Sequence, residues 1–153
     1  MSRIEETLAK LGITLPTPAN PLANYVPYVI TGNLVFISGQ ISVAPGGPIK
    51  GRLGEDMSLE DGVAAARVCG LNLIAQLKAA CGGDLSRVKR VVKLGGFVNS
   101  APTFFDHPKV INGASDLMVE VFGEAGKHSR AAVGSPSLPL GVAVEVDGVF
   151  EIA

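Results

Sequence analysis

The sequence predicts an α+β fold, a mixed β-sheet with two long helices packed on one face. Three observations carry this reading. Two segments, 58–80 and 106–122, repeat apolar residues at helical spacing. Runs rich in β-branched residues lie at 25–41, 88–99 and 129–152. The resulting order, ββαβαββ, suits helices gathered on one side of a sheet of five or six strands.

The elements follow in chain order. Ile4, Leu8 and Leu11 recur at helical spacing, so residues 2–11 form a short helix that Gly12 stops. Pro16, Pro18, Pro21 and Pro27 make the next stretch a rigid, irregular link. Strands at 25–30 and 34–41 are joined across Thr31-Gly32-Asn33, a hairpin signal. The segment APGGPIKGRLGEDM is a loop with room for one short strand. Ser58 caps the first long helix, with Glu60 and Asp61 in the turn where the helix dipole favours acids. Val63, Ala66, Gly70, Leu73, Ile74 and Leu77 share one face, and Gly82-Gly83 ends it.

The strand at 88–99 carries Gly95-Gly96, a mark of a bulge or a close backbone approach. Asp106 or His107 opens the second long helix ahead of Pro108, and Gly123 closes it. Strands near 129–133 and 141–152 complete the chain, and no 20–50-residue repeat divides it. Residues 1–153 read as one domain, with 1–20 as an N-terminal helix and proline-rich link.

Composition excludes several functions. Net charge is −1 and the 13 basic residues are scattered, so no stripe exists to track nucleic acid phosphates. The cluster Arg87, Lys89, Arg90 and Lys93 reads as a solvated edge. Hydrophobic residues make up 47% and charged ones 18%, which is oily for a monomer, so other subunits are expected to cover part of the surface. Cys69 and Cys81 form no CxxC, so no structural zinc site is expected. The N-terminus has no apolar signal region and the longest apolar stretches read as too short to span a bilayer, so the expectation is a cytoplasmic protein without a membrane partner.

Nucleophilic triads and phosphate loops fail. His107 reads as a cap and His128 as an exposed loop residue, and neither joins a Ser/His or Cys/His pattern. The loop glycines match neither the Walker nor the dinucleotide fingerprint. What remains is a set of polar residues on or beside apolar strands: Tyr25, Ser38, Gln40, Asn112, Arg130 and Glu145. A cation and a carboxylate on oily strands are costly without a task. Arg130 suits a planar carboxylate ligand, or else it forms a plain ion pair with Glu145.

These residues carry a resemblance. Tyr25, the ISGQI of 37–41, the VIN of 110–112, and Arg130 followed by Leu138-Pro139 and Glu145 occur in the order seen in the YjgF/RidA family of reactive-intermediate deaminases, also called L-PSP endoribonucleases. The resemblance spans about residues 20–152. It implies a chorismate-mutase-like fold, a barrel-like homotrimer, and ligand sites in clefts between subunits. It also implies cofactor-free and metal-free hydrolysis of enamines and imines, such as 2-aminoacrylate, to 2-keto acids and ammonia. In that reading Arg130 holds the carboxylate of a small imine or keto acid, and Glu145 orients or activates water. Tyr25, Ser38, Gly39, Asn112 and Ala132 line the pocket.

The chain departs from the family pattern in several places. Ala132 stands where a cysteine is usual, and Ala23-Asn24 replaces a Gly-Pro. The Asn112–Arg130 interval is about one residue longer, the 45–57 loop is long, and the N-terminal helix is an addition. The chain thus resembles a divergent branch. Its alternative function is capture of a carboxylate metabolite without turnover. Weak basicity, 5% aromatics and the lack of a His pair speak against RNA cleavage.

Overall fold

The structure, a computed structural model, describes residues 2–20 and 24–153. Pro21 of the proline-rich link and Ala23 of the Ala23-Asn24 pair lie outside them. The elements are α1 (Arg3–Lys10), β1 (Tyr28–Thr31), β2 (Leu34–Ile41), β3 (Val43–Ala44), β4 (Gly47–Pro48), α2 (Leu59–Ala80), β5 (Val88–Asn99), α3 (His107–Phe122), β6 (Ser129–Ser135) and β7 (Val144–Ile152). The main sheet has the order β1-β2-β7-β5-β6. Only β5–β6 is parallel, which makes the sheet mixed.

Alternation along the strands sets the two faces of this sheet. Val35, Ile37, Val91, Leu94, Val98, Val144, Val146 and Phe150 are buried on one of them, together with the apolar sides of α2 and α3. Ser58 caps α2 by accepting from Asp61 N at 3.1 Å. Gly96 shows why a glycine stands mid-strand: a Cβ there would run into Ile111 of α3. That is a close approach, not a bulge; the register shifts of β5 fall earlier, between Val88 and Lys93.

Several expectations change. The first strand starts at Tyr28, so Tyr25 sits in the turn ahead of it. The 45–57 segment holds half of a two-residue hairpin, β3–β4, and Leu53 from it is fully buried. At 22 residues, with an 18-residue window of mean hydropathy 1.2, α2 is long and apolar enough to cross a bilayer, contrary to the sequence reading. Here it is a core helix, with 56% of that apolar window buried.

The N-terminal segment is built into the fold. Ile4 and Leu8 of α1 are buried in the core, and Lys78 reaches Glu5 at 3.8 Å. Farther on, the buried Gln76 of α2 donates from Nε2 to the Ala19 carbonyl at 2.8 Å. That bond straps residues 15–20 alongside α2.

Candidate functional site

Arg130 and Glu145 do not meet within one chain. Arg130 pairs with Leu94 of β5, while Glu145 pairs with Phe97. Positions 94 and 97 are an odd number apart, so they face opposite sides of the sheet. Arg130 and Ala132 lie on the helix side of the edge strand β6. Glu145 lies on the other face, in the middle of the sheet. The ion pair between them is therefore ruled out within one protomer. Among the described residues no carboxylate comes within salt-bridge distance of Arg130.

Arg130 is held instead by neutral acceptors on one stripe of α3. Nη1 donates to Asn112 Oδ1 at 2.8 Å and to Ser115 Oγ at 3.1 Å, and Nη2 donates to the Pro108 carbonyl at 3.4 Å. Positions 108, 112 and 115 are i, i+4 and i+7 of a helix, hence on one face. Of the five N–H donors of a guanidinium, these bonds use three. Nε–H and one Nη2–H remain uncommitted among the described residues. Two such donors can grip both oxygens of one carboxylate.

Ser115 is itself positioned by His128, which the sequence reading left exposed. The ring is half-buried, with Nδ1 2.6 Å from the Gly126 carbonyl and Nε2 2.8 Å from Ser115 Oγ. A carbonyl only accepts, so Nδ1 carries the hydrogen. In the neutral ring Nε2 then accepts from the Ser115 hydroxyl, whose oxygen is turned to Arg130. Residue order hid this relay, although Ser115 lies three residues from Asn112 on the same helix face. His107, expected to cap α3, instead meets Ser100 Oγ at 3.1 Å and packs edge-on against Phe104.

Glu145 belongs to a second cluster. Between Ile37 and Gln40 the β2–β7 register slips by one residue, so Ser38-Gly39 form a bulge beside Glu145. A Cβ on Gly39 would occupy the place of the Glu145 carboxylate, so only glycine leaves room. Ser38 ties down the preceding turn: its hydroxyl donates to the Val26 carbonyl at 2.8 Å and its N–H to Pro27 O at 2.9 Å. Tyr25 is thereby held at the rim. Gln40 Nε2 closes the bulge on Ser38 O at 2.9 Å.

Burial pushes the Glu145 carboxyl above the ordinary carboxylate range, and the nearby Asp147 charge adds to the effect. Asp147 is also raised by burial, against the pull of the Gly95 N–H and Lys93. A cavity of about 680 Å³ opens in front of Glu145 and contains Tyr25, Ser38 and Gly39. Arg130, Asn112 and Ala132 are not in its wall. The predicted site residues thus fall into two clusters, one on each face of the sheet.

The family described as YjgF/chorismate mutase-like, putative endoribonuclease, matches residues 5–151. The chain belongs to this family. Protein TCP17 of Trypanosoma cruzi is 50% identical over 152 residues, covering 98% of this chain and 94% of its own. The crystal structure of a putative endoribonuclease from Shewanella oneidensis is 42% identical, with a TM-score of 0.94 over 99% of this chain and 100% of that one. The structure of E. coli TdcF with bound serine is farther off among YjgF-like folds, at 25% identity and a TM-score of 0.60 over 90% of this chain and 94% of its own.

Proposed function

We propose that the protein hydrolyses reactive enamines and imines of 2-amino acids to 2-keto acids and ammonia, in clefts where copies of the chain meet. The observation that carries the reading is the uncommitted edge of Arg130, a cation with no carboxylate partner among the described residues. The serine bound to TdcF, itself an amino acid, is consistent with a carboxylate ligand.

Neither cluster suffices by itself. Among the described residues Arg130 has no carboxylate beside it to take a proton, and no cation lines the cavity before Glu145 to anchor an acid. Joining them needs a second copy, and the sheet offers a surface for one. On the face away from the helices, Val29 and Phe36 pair across β1–β2, while Phe97 and Val133 pair across β5–β6, and all four are exposed. A barrel-like homotrimer covers such a face and brings β6 of one copy to the Glu145 side of the next.

The chemistry asks little of the protein. With the substrate carboxylate on Arg130, the iminium carbon stands where Glu145 can take a proton from water as the oxygen bonds to it. Glu145 returns that proton to the nitrogen. The C–N bond then breaks, ammonia leaves, and the hydroxyl proton departs as the keto group forms. A raised carboxyl is a fitting proton shuttle for both steps.

Ala132 favours a second reading, since a methyl group adds no polar function to the Arg130 cluster. The cleft would then capture a keto acid without turnover. RNA cleavage has less support: Arg87 and Arg90 of the basic cluster already donate to the Ala153 and Lys127 carbonyls.

The test couples the protein to a pyridoxal enzyme that releases 2-aminoacrylate and follows keto-acid formation. Acceleration by the wild type and none by Arg130→Ala is expected. Equal acceleration by both overturns the reading, and binding of 2-ketobutyrate without acceleration supports capture alone. Sedimentation should give three chain masses of 15.7 kDa; a monomer removes the cleft.

A further inference from the structure

The cavity before Glu145 is larger and oilier than a three-carbon substrate requires. Its roughly 680 Å³ falls in the range of sites that enclose drug-sized ligands. Away from Glu145 its apolar wall is Leu15 and Pro16 of the N-terminal strap, Val43 and Ala44 of the β3 hairpin, and Leu140, with Thr17, Asn20 and Asn72 as neutral polar groups among them. Among the described residues of that wall Glu145 alone is charged, so no cation there meets a second carboxylate on the ligand.

Two further observations mark this wall as built. Leu140 is held at φ 59°, ψ 12°, the left-handed region that disfavours a branched side chain, and it remains 56% exposed beside the cavity. Such outliers persist where the surroundings impose them, often at ligand sites. The strap is fixed as well, through the Gln76–Ala19 bond at 2.8 Å.

We propose that this cavity receives the side chain of the substrate, and that the protein selects imines of amino acids with bulky apolar side chains over the three-carbon 2-aminoacrylate class. The inference rests on the deaminase reading and names its substrate class. Arg130 holds the carboxylate, Glu145 serves the imine carbon, and the leucyl or phenyl group fills the space between Leu15, Val43 and Leu140. Each methylene placed in a matched apolar pocket contributes about tenfold or more to discrimination.

The experiment generates imines in situ from leucine, phenylalanine, alanine and glutamate with a broad amino-acid oxidase, and measures the acceleration of their hydrolysis. The leucine- and phenylalanine-derived imines should be favoured in kcat/KM over the alanine-derived one by about tenfold or more. Leu140→Gly should lower that ratio several-fold while Tm stays level or rises, because glycine tolerates the backbone angle. Leu15→Ala should lower it too. Equal rates for alanine and leucine imines, or a glutamate imine as fast as the leucine one, overturn the inference and leave the deaminase standing. No acceleration of any imine overturns both.

Discussion

The clusters around Arg130 and Glu145 share one sheet but solve opposite electrostatic problems. Arg130 is on an edge strand, its charge met by the dipoles of Asn112, Ser115 and a carbonyl. Glu145 is on a central strand and half-buried; that burial raises its pKa most, and the charge of Asp147 adds to it. Arg130 thus keeps two donors free among the described residues, while burial leaves the Glu145 carboxyl more reluctant to ionise. In the proposed reaction the first environment suits a group that grips a carboxylate and the second a group that passes a proton.

The sharpest way to break this comparison is complementation. Arg130→Ala and Glu145→Gln should each lower kcat/KM by about 10²–10⁴-fold, the scale of a lost general base or of two charge-assisted hydrogen bonds. Mixed and refolded together, they should regain about a quarter of the wild-type clefts, since random trimers pair an intact arginine with an intact glutamate that often. No recovery in correctly assembled mixtures would place both residues of a cleft in one chain.

A second test reads stability. A carboxyl whose pKa is raised on folding costs stability while ionised, so the cost is present above its folded pKa and is relieved as pH falls through that value. Glu145→Gln should therefore raise Tm at neutral pH and lose that advantage in acid. Arg130→Ala, at a sheet edge, should change Tm little. An unfolding scan of both variants at two pH values separates them.

Smaller effects sharpen the picture. The rate of the wild type should fall on acidification as Glu145 takes up its proton. Asp147→Asn removes a neighbour that raises Glu145, so the acid limb should move to lower pH in a kcat/KM profile. His128→Ala loosens Ser115 and through it Arg130; KM should rise about two- to tenfold, the scale of one hydrogen bond, with kcat nearly unchanged.

Much of this was legible before folding. Helical spacing and caps located α2 and α3, and the Gly/Asn turn located the β1–β2 hairpin. Arg130 stood out because a cation on an apolar strand needs a reason. What stayed hidden depends on pairing between distant segments. The faces of Arg130 and Glu145 follow from how β6 and β7 register on β5, which no local pattern encodes. His128 looked exposed because its neighbours are polar, yet the 3₁₀ turn Gly123–Gly126 carries it back against α3. The proline-rich link looked featureless because its role depends on Gln76, 57 positions away.

The bulge at Ser38-Gly39 carries one more consequence. At Gly39 the wall next to the Glu145 carboxylate is main chain, because a side chain there would take the carboxylate's place. The rest of the cavity is lined from other pieces of the polypeptide, among them the leading strap, a two-residue hairpin and Leu140. Substitutions in those pieces can reshape the cavity without touching the glycine that makes room for Glu145, as a lock is rekeyed without replacing its bolt.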